Sequence, residues 1–509
     1  MRQLKRQIAF LFYGLFFCTT ILYGTTVTVN SSKQLLVNGQ PFTVKGVNYS
    51  PTPVGYTGAG GTPPTDCLGQ YFWWTDRPTY IADFPLIHRM GANTIRTFNM
   101  MNSATTAAQV RQALDVAQAN GLYVIMGYFV SHTVDLSNAG VRAQALSEFL
   151  TAVNAYKNHP AVLMWAFGNE NNLDNGNTDP TDWYSLIQLV AQQAKAADPF
   201  HVITTVEGEC LGPDCAPPRS FLNNIGKLSI GADDTALSFL DIWSINAYRG
   251  ATFEGVFQAL DFSTMTVKPI LVTEFGKDAW RDSAAAEDQD MQANTYINPQ
   301  WKEINANLSA TGVGTATLIG GSVFEWSDEW WKDPSDSCST HGTPALFHRT
   351  DDAFDPNYQD EWFGITSVAP IDPKTNSRGS TRTFRKAYFT LQSFWSPGAT
   401  SAATAAPSNF FSDTVHNYPN PFRVGSVPTK FVALVNDAGT ITASLYDASG
   451  QFVSSLPPVT TTGPGRYELL WDGKNRQGEY VSSGLYFARI EGKGALHSDH
   501  QFRRVVAVK

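Results

Sequence analysis

Two glutamates, Glu170 in the run Trp165-Ala-Phe-Gly-Asn-Glu170 and Glu274 in Pro269-Ile-Leu-Val-Thr-Glu274, each follow a short apolar stretch of strand length. Cleavage of an acetal needs such a pair. One carboxylic acid protonates the departing oxygen, and a second, ionised carboxylate stabilises or traps the oxocarbenium-like centre. Two glutamates in unlike surroundings can fill both roles. A lone glutamate in a loop is ordinarily a solvated charge; what separates these two is that each directly follows a buried strand. The stretches before them, Ala161 to Trp165 and Pro269 to Thr273, are apolar without alternation, as expected of strands covered on both faces in a parallel sheet.

Eight stretches read as strands: Thr43 to Asn48, Thr94 to Phe98, Tyr123 to Tyr128, Ala161 to Phe167, His201 to Val206, Ile242 to Ala247, Ile270 to Glu274 and Ala316 to Glu325. Helical patterns fall between them. Val110, Ala113, Leu114 and Ala117 form an apolar stripe that stops at Asn120-Gly121, an expected C-cap; a second helix occupies Gln144 to Tyr156. A third opens at Asp179-Pro180, a capping Asp before a first-turn Pro, and stops before Asp198-Pro199. Eight strands alternating with helices over residues 25–395 predict an α/β fold, the TIM (β/α)8 barrel, with Glu170 after the fourth strand and Glu274 ending the seventh. In such a barrel the C-terminal strand ends meet at the mouth, so the two carboxyls would face each other there. Thr26 to Phe42, turning at Asn38-Gly39, reads as a hairpin that closes the barrel bottom.

After Trp395 the composition shifts to Ser, Thr, Ala and Pro, a linker over residues 396–415. Residues 416–509 then offer short strands, Phe431 to Val435, Thr440 to Tyr446, Arg466 to Trp471 and Leu485 to Ile490, between Gly- and Asp-rich turns, which predicts a small all-β sandwich. At the other end, Lys5 and Arg6 precede an apolar run from Ile8 to about Tyr23, a signal peptide over residues 1–24 and therefore a secreted or cell-surface protein. Retained, the same run would be an N-terminal anchor. Cleavage leaves Cys67, Cys210, Cys215 and Cys338, which allow three disulfide pairings. Cys210 with Cys215 is the easiest local bridge, leaving Cys67 with Cys338 to join the first and last barrel loops; unpaired thiols are the alternative.

A net charge of −9, with 16% charged and 13% aromatic residues, fits neither a basic nucleic-acid footprint nor a disordered chain. The 13 Trp suit sugar faces, although buried packing accounts for most aromatics. No His-Glu-x-x-His or phosphate-cradling glycine loop is present, so neither metal nor cofactor is expected. Asp174 to Asp179 lacks the full calcium-loop pattern and its distal Glu, and reads as a turn into a helix.

Asn169-Glu170 after the fourth strand and Glu274 at the end of the seventh resemble the clan A glycoside hydrolases, the retaining TIM-barrel enzymes, with features of families 2, 5 and 72. Gly91-Ala-Asn-Thr-Ile-Arg96 is similar to the second-strand motif, Trp243-Ser-Ile-Asn-Ala-Tyr248 to the sixth and Phe324-Glu-Trp326 to the eighth. The resemblance covers about residues 34–395. It implies Glu170 as acid/base and Glu274 as nucleophile, with carboxyl groups about 5 to 5.5 Å apart. Asn169 would meet the sugar 2-hydroxyl, Arg96 and Tyr248 would keep Glu274 ionised, Glu170 would retain its proton near neutrality, and Trp326 would be a sugar platform. The tail motifs His416-Asn-Tyr-Pro-Asn-Pro-Phe422, Trp471-Asp-Gly-Lys-Asn-Arg-Gln-Gly478 and Ser483-Gly-Leu-Tyr-Phe487 resemble the immunoglobulin-like module of the flagellar hook-capping protein. That resemblance implies sorting to, or attachment at, the cell surface through residues 416–509.

The expected activity is hydrolysis of a β-linked glucan or mannan by double displacement, by a monomer. The alternatives are a transglycosylase on the same site and a non-catalytic carbohydrate-binding barrel, which the intact set Arg96, Asn169, Glu170, Tyr248 and Glu274 opposes. Glu207, Glu209, Glu325, Asp328 and Glu329 also lie near strand ends and read as loop or subsite polar groups. Trp73, Trp74, Trp330 and Trp331 are candidates for an aromatic wall, with loop packing as the plain alternative. Asn48, Tyr49 and Tyr128 could face the mouth.

Overall fold

The structure, a computed structural model, describes residues 24–54, 71–102, 106–173, 179–209, 220–254, 256–259, 262–312, 314–332, 341, 359–368, 382–396, 410–411, 415–436, 438–463, 465–494 and 498–509. The apolar run at the N-terminus, all five cysteines and most of the linker lie outside these residues, and with them the signal-peptide and disulfide expectations. Among the described residues, no helix is long and apolar enough to cross a membrane.

Eight parallel strands close into the expected barrel: β1 (Val44–Asn48), β2 (Thr94–Arg96), β3 (Tyr123–Tyr128), β4 (Val162–Phe167), β5 (Val202–Glu207), β6 (Ile242–Asn246), β7 (Ile270–Phe275) and β8 (Leu318–Val323). Strands β3 to β7 are almost entirely buried, which is why they lack alternation: one face packs into the barrel, the other against helices. The register sets Asn48 beside Arg96 on β1 and β2, and Asn246 beside Glu274 on β6 and β7. Two strands are shorter than their sequences suggest. β8 begins only after Ala316, which turns through φ +49°, and ends before Glu325, whose amide bonds to the Phe363 carbonyl. β2 stops at Arg96.

Outside the barrel run α1 (Arg77–Arg89), α2 (Ala107–Ala119), α3 (Ala139–Tyr156), α4 (Pro180–Ala197), α5 (Asn298–Ala306) and α6 (Lys386–Trp395), with shorter turns between. The caps follow the sequence signals. The Asp179 carboxylate accepts from the Thr181 amide at the start of α4, and Gly121 takes φ +68° just past α2. A three-stranded N-terminal sheet, Val27–Val29, Leu35–Val37 and Gln40–Pro41, buries Val27, Leu35 and Val37 against Ile125, Met164, Val202 and Leu271 from inside the barrel. It plugs that end.

The C-terminal residues build two sheets. Thr429–Val435 lies between His416–Tyr418 and Gly465–Trp471, while Gly484–Gly494 lies between Gly439–Asp447 and Ser498–Val508. Phe431, Ile441, Leu445, Leu469, Trp471, Ile490 and Val505 fill a core separate from that of the barrel. The module rests on the barrel through Leu434, which joins the barrel's outer apolar cluster, and through Tyr418, whose ring lies 5.4 Å from the Arg77 guanidinium carbon.

Candidate active site

At the mouth end, Arg96 leaves β2 almost fully buried, its guanidinium lying over the Phe98 ring at 4.5 Å and its N–H groups meeting polar partners. Its Nη1 donates to Glu274 Oε1 at 2.6 Å and to Asn48 Oδ1 at 2.9 Å, and its Nη2 donates to Asn169 Oδ1 at 2.6 Å. Asn48 is held in turn, its Nδ2 donating to the Thr273 and Val323 carbonyls at 2.9 and 3.1 Å. A buried guanidinium is tolerable only when its charge and its N–H groups find such partners. The second oxygen of Glu274 accepts from the Tyr248 hydroxyl at 2.7 Å. Burial and the neighbouring Glu274 charge push the Tyr248 phenol well above its ordinary range, so it stays a neutral donor.

The other carboxyl is carried by the turn after β4. Gly168 takes φ +79°, and a Cβ there would lie 2.4 Å from Trp183 Cη2, so glycine is required twice over. Glu170 itself sits at φ +55°, a left-handed conformation rare outside glycine and often found where a side chain is aimed for function. The turn is over-determined: the Asn169 amide donates to Asn171 Oδ1 at 3.0 Å, the Glu170 amide to the Val206 carbonyl at 2.9 Å, and His132 Nε2 lies 2.7 Å from the Asn169 carbonyl oxygen. Asn246 ties this turn to the rest. Its Nδ2 lies 3.0 Å from Glu170 Oε1 and 3.3 Å from Asn169 Oδ1, while its own Oδ1 accepts from the Thr273 hydroxyl at 2.9 Å. Glu274, Arg96, Asn169, Asn246 and Glu170 thus form one hydrogen-bonded chain.

Phe324, just beyond β8, forms a wall beside this chain. Its ring meets Tyr248 edge-on at 6.4 Å and Phe363 at 5.4 Å, with Phe98 on another side at 6.4 Å. Lys332 Nζ stands 4.7 Å from the Phe324 centroid and pairs with Glu329 Oε2 at 2.7 Å and Asp360 at 3.9 Å. Glu329 is also hydrogen-bonded to Glu325, which burial and the Glu329 charge push well up, so Glu325 holds the proton of this carboxyl pair.

Of the sequence candidates, Arg96, Asn169, Glu170, Tyr248 and Glu274 come together here. Trp326 does not present a ring to the mouth: it is fully buried, tilted against Tyr388 at 6.3 Å under the outer helices, so the platform expectation is corrected. Trp73 and Trp74 are likewise buried, packing against each other and, for Trp73, against Tyr49. Trp330 stacks on His341 at 4.5 Å. Glu207 is fully buried behind the barrel wall, accepting from Tyr184 at 2.7 Å and Trp183 at 3.4 Å, with burial pushing its carboxyl up to about 7. Glu209 is paired with Arg249, and Asp328 with Arg385 at 2.5 Å, its carboxyl pushed up to about 6 by burial. Asn48 belongs to the site, but from beneath. Tyr128 points out to Glu148 on α3, and Tyr49 donates to Asp83, so neither faces the mouth.

Sequence reasoning assigned no role to Asn246, His132 or Lys332. Asn246 was within reach: it lies two residues before Tyr248, and alternate residues of a strand share a face. His132 and Lys332 sit in loops with no period to read. Among the described residues, no group of His, Cys, Asp and Glu could hold a metal ion.

The family model for the TIM barrel domain of glycosyl hydrolases family 2 matches residues 27–300, which include all five clustered residues, and that for the FlgD Ig-like domain matches residues 423–495. The β-glucuronidase of Rattus norvegicus is 26% identical over 267 residues, 50% of this chain and 34% of the relative. That of Homo sapiens is 28% identical over 205 residues, 39% of this chain and 27% of the relative. The chain thus spans about a third or less of the length of these curated relatives. Among solved structures, the β-glucuronidase of Bacteroides uniformis aligns over 95% of this chain and 48% of its own, at 14% identity and a TM-score of 0.45. With the model match covering more than half of its residues, the chain belongs to glycosyl hydrolases family 2 through its TIM-barrel domain.

Proposed function

We propose that this chain is a retaining β-glycosidase that hydrolyses O-glycosidic bonds of a neutral β-linked glycan, a glucan or mannan, by double displacement. The observation that carries the reading is the hydrogen-bonded chain from Glu274 through Arg96, Asn169 and Asn246 to Glu170. A carboxylate gripped by a guanidinium on one oxygen and a phenol on the other suits an ionised nucleophile. Glu170, which accepts from the Asn246 amide at 3.0 Å, suits the acid that protonates the leaving oxygen and later activates water. With Asn169 Oδ1 taken by Arg96 and Asn246, its amide nitrogen is the end a sugar 2-hydroxyl would meet.

The relatives are named as β-glucuronidases, whose glycone bears a carboxylate. An anionic sugar in a desolvated cleft needs a cation to offset its charge. Around this mouth the described cations are already paired: Arg96 with Glu274, Arg249 with Glu209, Lys332 with Glu329, Lys277 with Asp278 and Arg385 with Asp328. Glu329 and Asp360 add negative charge beside Phe324. These pairs support a neutral sugar. The basic head and apolar run at the N-terminus support export, and the C-terminal module supports a role at the cell surface.

Turnover of aryl β-glucoside, β-mannoside and β-glucuronide tests the reading. Loss of turnover in Glu274→Ala, with azide restoring it as a glycosyl azide, is expected. Undiminished turnover in that variant, or preference for the glucuronide, overturns the corresponding half of the proposal. Oligosaccharide products longer than the substrate would mean transfer instead of hydrolysis.

A further inference from the structure

Glu207 ends β5 with its side chain buried away from the mouth, yet its neighbours in the chain hold the turn that carries Glu170. The Glu170 amide donates to the Val206 carbonyl at 2.9 Å. Gly208 and Asn172 exchange two hydrogen bonds, from the Gly208 amide to Asn172 Oδ1 at 2.8 Å and from Asn172 Nδ2 to the Gly208 carbonyl at 2.9 Å. The Thr205 hydroxyl donates to the carbonyl of Phe167, the last residue of β4, at 3.0 Å. The fit is close: a Cβ at Gly208 would lie 2.8 Å from Glu170 Cγ. Residues 205–208 therefore set where residues 167–172 lie, and a shift of the β5 end carries the Glu170 carboxyl with it.

The Glu207 carboxyl anchors that strand end from behind. Its Oε2 accepts from the Tyr184 hydroxyl at 2.7 Å and its Oε1 from Trp183 Nε1 at 3.4 Å, both donors lying on α4. Trp183 then returns to the same turn. Its ring stacks on Phe167 at 5.7 Å, and its Cη2 is the atom nearest to the Cβ that Gly168 lacks. Glu207, Trp183, Gly168, Glu170 and Val206 thus close a ring of contacts that runs from β5 out to α4 and back into the turn. Among the described residues no cation pairs with Glu207, and burial pushes its carboxyl up to about 7. Burying such a group is costly, and what it supplies in exchange is directional bonding, which fixes one arrangement where apolar packing would allow several.

We propose that Glu207 is a positioning residue for proton transfer to the leaving oxygen: acting through Trp183 and the end of β5, it holds the turn that aims Glu170. The inference rests on the reading of Glu170 as the acid/base. Glu274 takes its own bonds from Arg96 and Tyr248. Loss of the Glu207 carboxyl therefore impairs protonation of the leaving group more than attack by the nucleophile.

Leaving-group dependence tests this, with the full chain and aryl β-glycosides of a sugar it turns over. A dinitrophenolate departs without a proton, whereas an unsubstituted phenolate needs one. Glu207→Met is expected to lower kcat/KM for the phenyl glycoside by about 10- to 100-fold, the scale of a misplaced catalytic group, and for the dinitrophenyl glycoside by less than about threefold. Glu207→Gln keeps an oxygen for the α4 donors and is expected to recover most of the loss. An equal fall with both substrates, no fall with either, or a Gln variant as impaired as the Met variant overturns the proposal. If Glu207→Met does not fold, Trp183→Phe, which removes both the N–H and the ring edge against Gly168, carries the comparison with the same expected split. Glu170→Ala separates the two levels of the argument. Absence of the split in that variant sinks the acid/base reading itself, whereas a split there that Glu207→Met does not share sinks only the positioning role.

Discussion

Arg96 donates to Glu274 Oε1 at 2.6 Å from a position where the guanidinium is almost fully buried, and its other terminal nitrogen reaches Asn169 at the same distance. One side chain therefore positions both the carboxyl group of the proposed nucleophile and the residue next to the proposed acid. Losing it leaves a buried carboxylate without its cation.

Arg96→Met is expected to lower kcat/KM by at least a hundredfold and to cost about 3 to 5 kcal/mol of stability, the range for breaking one side of a buried pair. Arg96→Lys keeps the charge but cannot reach Glu274, Asn48 and Asn169 together, so kinetics should suffer more than melting temperature. Steady-state kinetics beside denaturant unfolding of both variants checks this.

Tyr248→Phe removes one hydrogen bond to a buried carboxylate, worth about 1.5 to 3 kcal/mol, and should slow turnover by about 10- to 100-fold. Since the phenol is pushed well above its ordinary range, the deficit should stay constant up to pH 9. A deficit that disappears as pH rises would show that the hydroxyl acts in some other way.

Glu207 ties stability to pH. Burial raises its folded carboxyl to about 7, above the ordinary value near 4.5, so the folded chain binds more protons than the unfolded one between those values. Its contribution is complete below pH 4.5 and is lost as pH rises through 7, about 3 kcal/mol in all. Glu207→Gln, which cannot ionise, should flatten that part of the stability curve, and the difference in unfolding free energy between variant and parent at pH 5 and pH 8 measures it.

Glu329→Gln should release Lys332, leaving Asp360 at 3.9 Å as its carboxylate partner. The ammonium stands beside Phe324, whose ring meets Tyr248, so discrimination against an aryl β-glucuronide relative to the β-glucoside should shrink by about tenfold, a change of roughly 1.4 kcal/mol. A ratio of kcat/KM values that does not move would place Lys332 away from the glycone.

Gly168→Ala puts a methyl group 2.4 Å from Trp183 and strains a backbone at φ +79°. The expected cost is about 1 to 3 kcal/mol, with a larger loss in kcat than in binding because Asn169 and Glu170 follow directly. Comparing kcat with the inhibition constant of a ground-state sugar separates the two.

The barrel was legible because its strands are unbroken apolar runs at regular intervals, and the helices between them carry ordinary cap signals such as Asp179-Pro180 and Asn120-Gly121. Glu170, Glu274, Arg96 and Tyr248 were legible because each stands at or just beyond the end of such a run. Trp326 was misread for the same reason: it too follows an apolar run, yet its ring turns outward beneath the helices.

By itself, then, the sequence determined the order of strands and helices, the strand ends that carry carboxyl groups, and the change of architecture after Trp395. Those properties are local, written in spacing and composition. Only the tertiary structure decided which strand-end side chains face the mouth, Glu274 but not Glu207, and which asparagines link them. The physical reason is that both faces of a barrel strand are buried, so its residues do not alternate and the pattern carries no record of inside and outside. Pairing of Lys332 with Asp360, and the meeting of Arg77 with the Tyr418 ring, join loops and domains distant in sequence, and nothing along the chain encodes those meetings except the fold.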